Sequence, residues 1–198
     1  MVLSLRMKNY TDAFQTTEGS KSGWGMQSVN CMAKHWPGGG SGEGGRDAHY
    51  CFGQYAVYPG DNFETHLKPF TEGAFNLKGK TGMCAAVMPY YTISYGQEPS
   101  GNNVANGFSK YIITDLLREK YGYDGVVCTD WGITGDNNKV HLMNGKPWGV
   151  ADLSVDERHF EVLLAGVDQF GGNNDKEPVI GAYNIWCERF GKDSADER

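Results

Sequence analysis

Three short blocks of the sequence each place polar side chains directly after an apolar segment. Lys34 and His35 follow the first segment, Tyr91 follows the second, and Asp130 and Trp131 follow the third. A carboxylate directly after a buried strand is costly unless it is paired or functional. Asp130 is therefore the main candidate for chemistry, and a Lys-His pair and a tyrosine at neighbouring strand ends are groups that can hold and polarise it.

Metal binding is an alternative use of the histidines. His35, Asp47, His49 and His66 are the candidate ligands. Zinc sites in proteins use such nitrogen and oxygen donors, but sequence-readable sites have close spacing such as two histidines four apart on one helix. These residues lack that spacing, so the sequence favours no bound metal.

Alternating apolar and amphipathic segments indicate the elements that position these side chains. Strands are predicted at residues 29–34, 84–88, 125–129 and 167–170, and helices at 2–18, 66–75, 105–120, 154–165 and 177–190. Asp61 with Glu64 and Ser154 with Glu157 have the spacing of helix capping boxes. Pro69 conflicts with the second helix and predicts that it is short or kinked.

Strands that alternate with helices predict an α/β fold with a parallel sheet and right-handed crossovers. The strands are almost entirely apolar, which is typical of a sheet covered on both faces. Long loops rich in glycine and aromatic residues follow the strands, as in α/β barrels, whose chemistry lies on those loops. Four strands do not close an eight-stranded barrel, so the chain is either a doubly wound domain or part of a barrel.

Composition excludes some classes of partner. The 198 residues include 24 acidic and 18 basic ones, for a net charge of −6, and no basic cluster, which argues against nucleic acid as a partner. No apolar run reaches the roughly 18–20 residues that cross a membrane. The first residues lack the apolar core of a signal peptide, and the location is open between the cytoplasm and a secreted or periplasmic site.

The cysteines give no metal or disulfide pattern. Cys31, Cys84 and Cys128 lie in apolar, strand-like runs, whereas Cys51 and Cys187 lie elsewhere in the chain. An odd number of widely spaced cysteines fits no zinc motif. Buried free thiols are the expected state.

Four blocks in order give the sequence a family resemblance. They read KHWPGGG at 34–40, MPYY at 88–91, GVVCTDWG at 125–132 and AGVD at 165–168. Together they resemble glycoside hydrolase family 3, the β-glucosidase family. The resemblance implies a (β/α)8 TIM barrel, usually followed by an α/β sandwich domain. Residues 1–198 would form a single partial barrel domain, with about strands four to seven, and without the remaining barrel strands and the second domain.

The resemblance also implies a function. The enzyme would be a retaining exo-β-glucosidase that needs no cofactor and hydrolyses terminal β-linked sugars of a small β-glucoside or oligosaccharide. Asp130 would be the nucleophile that forms a covalent glycosyl-enzyme. The sugar subsite would be lined by Lys34, His35, Met88, Tyr91 and Trp131. Tyr90 is the alternative to Tyr91 in this block. The upstream Asp and Arg that bind sugar in the family have no match here, so the chain alone is expected to be nearly inactive.

The glycine-rich loop after the first strand leaves alternatives open. Asp47 and His49 resemble the Asp-x-His dyad of the family's β-N-acetylglucosaminidase branch, in which the histidine is the general acid/base. Gly39 stands where that branch usually has a histidine. The pair is interpreted as substrate-side loop residues, as an acid/base dyad or as structural. A β-N-acetylglucosaminidase-like enzyme and a non-catalytic carbohydrate-binding remnant are the alternative functions.

Overall fold

The computed structural model describes residues 2–136 and 145–198 of the chain. Its α-helices are α1 (Val2–Gln15), α2 (Phe63–Lys68), α3 (Val155–Ala165), α4 (Glu177–Phe190) and α5 (Lys192–Glu197). Two π-helical segments are π1 (Pro69–Ala74) and π2 (Tyr111–Lys120). The strands are β1 (Met32–Trp36), β2 (Tyr55–Ala56), β3 (Ala86–Pro89), β4 (Ile93–Ser94) and β5 (Val126–Val127).

A parallel sheet with the order β1-β3-β5 forms the centre of the fold. Met32 pairs with Ala86, and Ala86 pairs in turn with Val126, so the strands run in register and end on the same edge. The predicted fourth strand is reduced to a bridge between Cys128 and Gln169. It stays short because the Asp168 carboxylate accepts the Val127 N–H at 2.7 Å, a bond that a regular strand would give to a carbonyl.

A second parallel sheet of β2 and β4 was not expected from the sequence. Tyr55 and Ala56 are too few to give a readable alternation, and their pairing with Ile93 and Ser94 is a tertiary contact. The sheet joins the glycine-rich loop after β1 to the segment after β3. It therefore fixes that loop over the ends of the central strands.

The core lies between the central sheet and the helical layer of π1 and π2. Trp36 is fully buried, and its indole N–H donates to the Ile112 carbonyl at 3.0 Å. Its ring also meets the rings of Phe70 at 5.2 Å and Phe75 at 5.8 Å. Trp36 therefore anchors the end of β1, directly after His35, to both π-helical segments. Within the described residues, no helix combines the length and apolar character needed to span a membrane.

One predicted capping box is confirmed and the other is wrong. Ser154 accepts the Glu157 N–H at 3.3 Å, and the Glu157 carboxylate accepts the Ser154 N–H at 2.8 Å. Asp61 does not cap α2, which follows Asn62 without a side-chain capping bond. The Glu64 carboxylate instead accepts bonds from Lys120 and Tyr121 at 2.7 and 2.8 Å, because π2 packs beside it.

Two predicted helices change their geometry. The helix predicted at 66–75 passes from α to π at Pro69, which lacks the N–H that an α-helix would need there. The helix predicted at 105–120 begins only at Tyr111, after a separate 3₁₀ turn. The buried Asn106 side chain bonds Ser94 and Thr92 at 2.8 and 3.1 Å, which holds this entry segment against β4.

The described cysteines are free thiols. Cys84 and Cys128 are buried as expected, whereas Cys31 is only partly buried because it lies just before β1, at the edge of the sheet. Burial raises the pKa of the Cys84 thiol to about 11, so it stays protonated at neutral pH.

Candidate active site

The ends of the central strands bring the sequence-predicted polar residues together. His35 lies in β1, Tyr91 follows β3, and Asp130 follows β5. The His35 Nε2 atom is 3.5 Å from the Asp130 Oδ2 atom. Side chains that are 95 residues apart in the sequence therefore share one site on the loop side of the sheet.

Asp130 is a buried carboxylate with one committed oxygen. Its Oδ1 atom accepts the Trp131 backbone N–H at 2.8 Å. Its Oδ2 atom is buried and has no hydrogen-bond partner among the described residues. Burial raises the pKa of Asp130, whereas the hydrogen bond from the Trp131 N–H and the charges of His49 and Lys34 oppose that rise. The free oxygen is the atom available to a ligand.

Tyr91 supports the segment that carries Asp130. Its side chain is fully buried, and its hydroxyl donates to the Trp131 carbonyl at 2.6 Å. Burial and the neighbouring Asp130 charge raise the pKa of Tyr91 far above its ordinary value. Tyr91 therefore remains a neutral hydroxyl beside the carboxylate over the whole physiological range.

His35 is a neutral imidazole at physiological pH. Burial, together with the charges of Lys34 and His49, lowers its pKa to about 4. The ring stacks on Tyr90 with centroids 4.3 Å apart and planes 26° apart. The contact with Asp130 is therefore a polar contact between a carboxylate and an uncharged ring rather than an ion pair.

Asp47 and His49 form a hydrogen-bonded pair next to Asp130. The His49 Nδ1 atom is 2.7 Å from the Asp47 Oδ1 atom, which also accepts the His49 backbone N–H at 2.9 Å. These bonds hold the pKa of Asp47 below its ordinary value, and the bond from the His49 backbone N–H has the largest effect. One ring nitrogen of His49, one of His35 and one oxygen of Asp130 all lie within 4.8 Å of one another. A histidine oriented by a carboxylate thus stands within reach of Asp130.

Three further predicted residues differ in exposure. Lys34 is exposed and is the sheet partner of Met88, which is 4% exposed within β3. Trp131 is 47% exposed, and its indole lies against Gly171 and Gly172, where a Cβ atom at either position would meet the ring. The sequence-based assignment of these residues to a sugar subsite stays a prediction.

Two residues near the site were not singled out from the sequence. Tyr90 was considered only as an alternative to Tyr91, yet its hydroxyl donates to Asp47 at 3.3 Å, and burial with the Asp47 charge raises its pKa to about 12. Lys146 is fully buried, with its ammonium 5.9 Å from the centre of the Tyr91 ring. The sequence feature that could have indicated a buried Lys146 is its place directly before Pro147 and Trp148, in a short apolar run.

The residues that can hold a metal differ from the set that the sequence suggested. Within the described residues, His35, His49 and Asp130 offer the converging donor atoms. Asp47 is engaged by His49, and His66 packs on the ring of Tyr58 with centroids 5.3 Å apart. Two nitrogens and one oxygen are donors that zinc accepts. The same three side chains also suit acid/base and nucleophilic chemistry.

Comparison with protein families identifies the relatives of this site. The model for the glycosyl hydrolase family 3 N terminal domain matches residues 6–169. A protein of Aspergillus oryzae named probable beta-glucosidase C is 43% identical over 157 residues, which cover 79% of this chain and 23% of that protein. The periplasmic beta-glucosidase/beta-xylosidase of Dickeya chrysanthemi is 37% identical over 178 residues, which cover 83% of this chain and 26% of that protein. The chain therefore spans about a quarter of the length of these curated relatives.

A solved structure supports the fold. A β-glucosidase from intestinal bacteria, described as involved in saponin metabolism, superposes with a TM-score of 0.61 and 21% sequence identity. The match covers 94% of this chain and 21% of that chain. The parallel sheet with flanking helices thus agrees with the partial (β/α)8 barrel that the family resemblance implied.

Proposed function

The chain belongs to glycosyl hydrolase family 3, and we propose that it carries the catalytic groups of a retaining exo-β-glucosidase. The proposal extends to the whole protein only through its relatives, because the chain spans about a quarter of their length. We also propose, from the same relatives, that the whole protein has the remaining barrel strands and a second domain.

One observation carries the proposal: a histidine held by Asp47 lies beside a buried carboxylate with a free oxygen. Asp130 offers its Oδ2 atom, and a His49 nitrogen lies within 4.8 Å of one of its oxygens. In a retaining glycosidase one group attacks the sugar while the other protonates the leaving oxygen, so the two groups stand close together. Asp130 and His49 are close enough for these two roles and have the chemistry for them.

In the first step, Asp130 attacks the anomeric carbon and forms a glycosyl ester. The bond between that carbon and the glycosidic oxygen breaks, and protonated His49 gives its proton to the leaving oxygen. Asp47 orients the ring and stabilises its positive charge. In the second step, His49 removes a proton from water, the water oxygen attacks the anomeric carbon, and the Asp130 carboxylate is released.

The neighbouring residues would bind the sugar. Lys34 can donate charge-assisted hydrogen bonds to sugar hydroxyls, and neutral His35 can donate or accept one. Trp131 offers an exposed indole face beside the nucleophile. Tyr91 holds the Asp130 segment in place through the Trp131 carbonyl.

Labelling with a 2-deoxy-2-fluoro β-glucoside that has an activated leaving group tests the proposal. The fluorine slows breakdown of the ester, so the label accumulates on the attacking residue. In the protein expressed in its natural reading frame, peptide mass spectrometry should find the label on the peptide that contains Asp130, and Asp130→Asn should abolish it. A label on Asp124, Asp136 or Asp168 would show that the nucleophile is assigned wrongly.

A β-N-acetylglucosaminidase is the second candidate, because the bonded Asp47–His49 pair has the form of that branch's dyad. A β-glucosidase should have the higher kcat/KM for 4-nitrophenyl β-glucoside. A β-N-acetylglucosaminidase should have the higher kcat/KM for 4-nitrophenyl N-acetyl-β-glucosaminide. A non-catalytic carbohydrate-binding remnant predicts turnover of neither. The proximity of His49 to Asp130 argues against that remnant.

A further inference from the structure

Tyr90 contacts both of the histidines that lie near Asp130. Its ring stacks on the His35 ring, with centroids 4.3 Å apart, and meets the His49 ring at 5.8 Å. The His35 Nε2 atom is in turn 3.5 Å from the Asp130 Oδ2 atom. Tyr90 is itself buried, so both contacts lie inside the fold. One buried ring therefore packs against two of the side chains that surround the proposed nucleophile.

The hydroxyl of Tyr90 joins the Asp47–His49 pair to the central sheet. It donates to the Asp47 Oδ1 atom at 3.3 Å. The same oxygen accepts the His49 backbone N–H at 2.9 Å and lies 2.7 Å from the His49 Nδ1 atom. Those two contacts stay within one loop, so they hold the pair together without fixing its place. The Tyr90 bond comes from the end of β3, 43 residues away, and ties the pair to the strand.

Local sequence does not fix where the glycine-rich loop places Asp47. Six glycines lie between positions 38 and 45, and glycine leaves the backbone many accessible conformations. The Asp47 side chain is 53% exposed, so packing does not hold it either. Tyr90 is fixed by comparison, because its N–H donates to the Trp36 carbonyl at 2.9 Å at the end of the sheet. A fixed hydroxyl beside an exposed carboxylate therefore selects one position for the pair.

We propose that Tyr90 is a positioning residue, whose hydroxyl holds His49 in reach of Asp130 through Asp47 and whose ring supports His35. The inference rests on the proposed function, because it takes His49 as the general acid/base. A general acid must lie within hydrogen-bond reach of the leaving oxygen, and a displacement of about 1 Å can cost about 10²-fold in rate. Tyr90 thus acts on the reaction through other side chains.

Tyr90→Phe tests the hydroxyl in the protein expressed in its natural reading frame. For glucosides with poor leaving groups, kcat should fall about 5- to 10-fold, the factor that loss of one ordinary hydrogen bond implies, and KM should stay at the wild-type value. Dinitrophenyl β-glucosides should be almost unaffected, because their leaving group needs no proton. Tyr121→Phe is the matched control, since it removes a hydroxyl that donates to the Glu64 carboxylate on the surface. It should leave kcat and KM unchanged.

Tyr90→Leu tests the ring, because it removes the face on which His35 stacks. It should raise KM about 3- to 10-fold above the Tyr90→Phe value, the range that aromatic pair energies imply. Superimposable circular dichroism spectra should show that the variants fold. Equal KM values in Tyr90→Leu and Tyr90→Phe would overturn the support of His35.

A double-mutant cycle shows whether Tyr90 acts through His49. In a His49→Ala background, Tyr90→Phe should cost no further activity, because the acid that the hydroxyl positions is gone. A full additional loss in that background, an unchanged kcat in Tyr90→Phe, or equal losses for poor and good leaving groups would overturn the positioning role. The fluoroglucoside label on Asp130 and the effect of His49→Ala alone are measured separately, so Tyr90 can fail while the proposed function stands.

Discussion

The Nδ1 atom of His49 lies 2.7 Å from the Oδ1 atom of Asp47, on a loop that the β2–β4 sheet fixes over the central strands. A histidine that shares one ring nitrogen with a carboxylate keeps its other nitrogen for proton transfer. A carboxylate partner also stabilises the imidazolium form. The loop thus supplies a proton carrier to the site at which β5 supplies Asp130.

His49→Ala should slow reactions that depend on protonation of the leaving group. For glucosides with poor leaving groups, kcat/KM should fall about 10²- to 10⁴-fold, the usual contribution of a general acid. Glucosides with dinitrophenolate leaving groups should lose much less, because they leave without a proton. Kinetics across a series of leaving groups measures the difference. His66→Ala is the control, and equal losses across the series would contradict the acid role of His49.

Lys34→Met should raise the pKa of Asp130. The Lys34 charge lowers that pKa, so its removal leaves burial less opposed. The pKa of His35 should also rise, since Lys34 lowers it as well. NMR titration of the Asp130 carboxyl and the His35 ring measures both shifts, and the acidic limb of kcat/KM should move to higher pH. Lys110→Met is the control, because Lys110 pairs with Asp115 on the surface.

Asp130→Asn should stabilise the fold at neutral pH. Burial raises the pKa of Asp130 in the folded state, so the folded chain binds a proton more tightly than the unfolded chain. Ionisation of Asp130 therefore lowers the free energy of unfolding. The loss begins as the pH rises past the pKa of the unfolded chain and is complete above the pKa of the folded chain. The amide keeps the oxygen that accepts the Trp131 N–H and carries no charge.

Thermal unfolding measures this effect. At pH 7 we expect Tm to rise by about 2–4 °C, the shift that 1 kcal/mol gives in a domain of this size. The gain should disappear at pH values below the unfolded pKa of Asp130. The exposed Asp152→Asn should give no such pH dependence. A lower Tm for Asp130→Asn at pH 7 would mean that the carboxylate is well compensated in the fold.

The sequence predicted the central sheet and the convergence of its end residues because both follow from local patterns. Apolar segments before His35 and Asp130 predict parallel strands, and such strands end on one edge. Nothing local shows that a loop folds back over that edge. The sequence therefore leaves three interpretations of the Asp47–His49 pair open, and the distance of that pair from Asp130 depends on the tertiary pairing of Tyr55 with Ile93.

The failed capping box shows the same limit. Asp61 and Glu64 have the spacing of a capping box, but Glu64 forms bonds with Lys120 and Tyr121, which lie 56 and 57 residues away. The Asp61 backbone has a φ of 55°, which is incompatible with an N-cap geometry. Within the described part of the chain, the Ser154 and Glu157 side chains bond each other's backbone, and there the local rule holds.

Ser154→Ala should therefore destabilise the chain, whereas Asp61→Asn should not. Removal of a capping hydroxyl costs about 1 kcal/mol in the free energy of unfolding. Asparagine tolerates the left-handed backbone at position 61, and no capping bond is lost there. Urea unfolding followed by circular dichroism compares the two variants. Equal losses of stability would contradict the assignment of the caps.

The 198-residue chain alone should show little or no β-glucosidase turnover. Lys34, which the proposal assigns to sugar binding, is exposed, and β1 is an edge of the central sheet. In the relatives, about three quarters of the protein lies outside the matched part. A nucleophile and an acid accelerate hydrolysis strongly only when other groups hold the sugar in position. Purified chain should therefore turn over 2,4-dinitrophenyl β-glucoside at least about 10³-fold less efficiently than the Dickeya chrysanthemi relative, a gap that lost positioning alone can produce. Robust turnover that Asp130→Asn abolishes would show instead that β1, β3, β5 and the glycine-rich loop form a sufficient site.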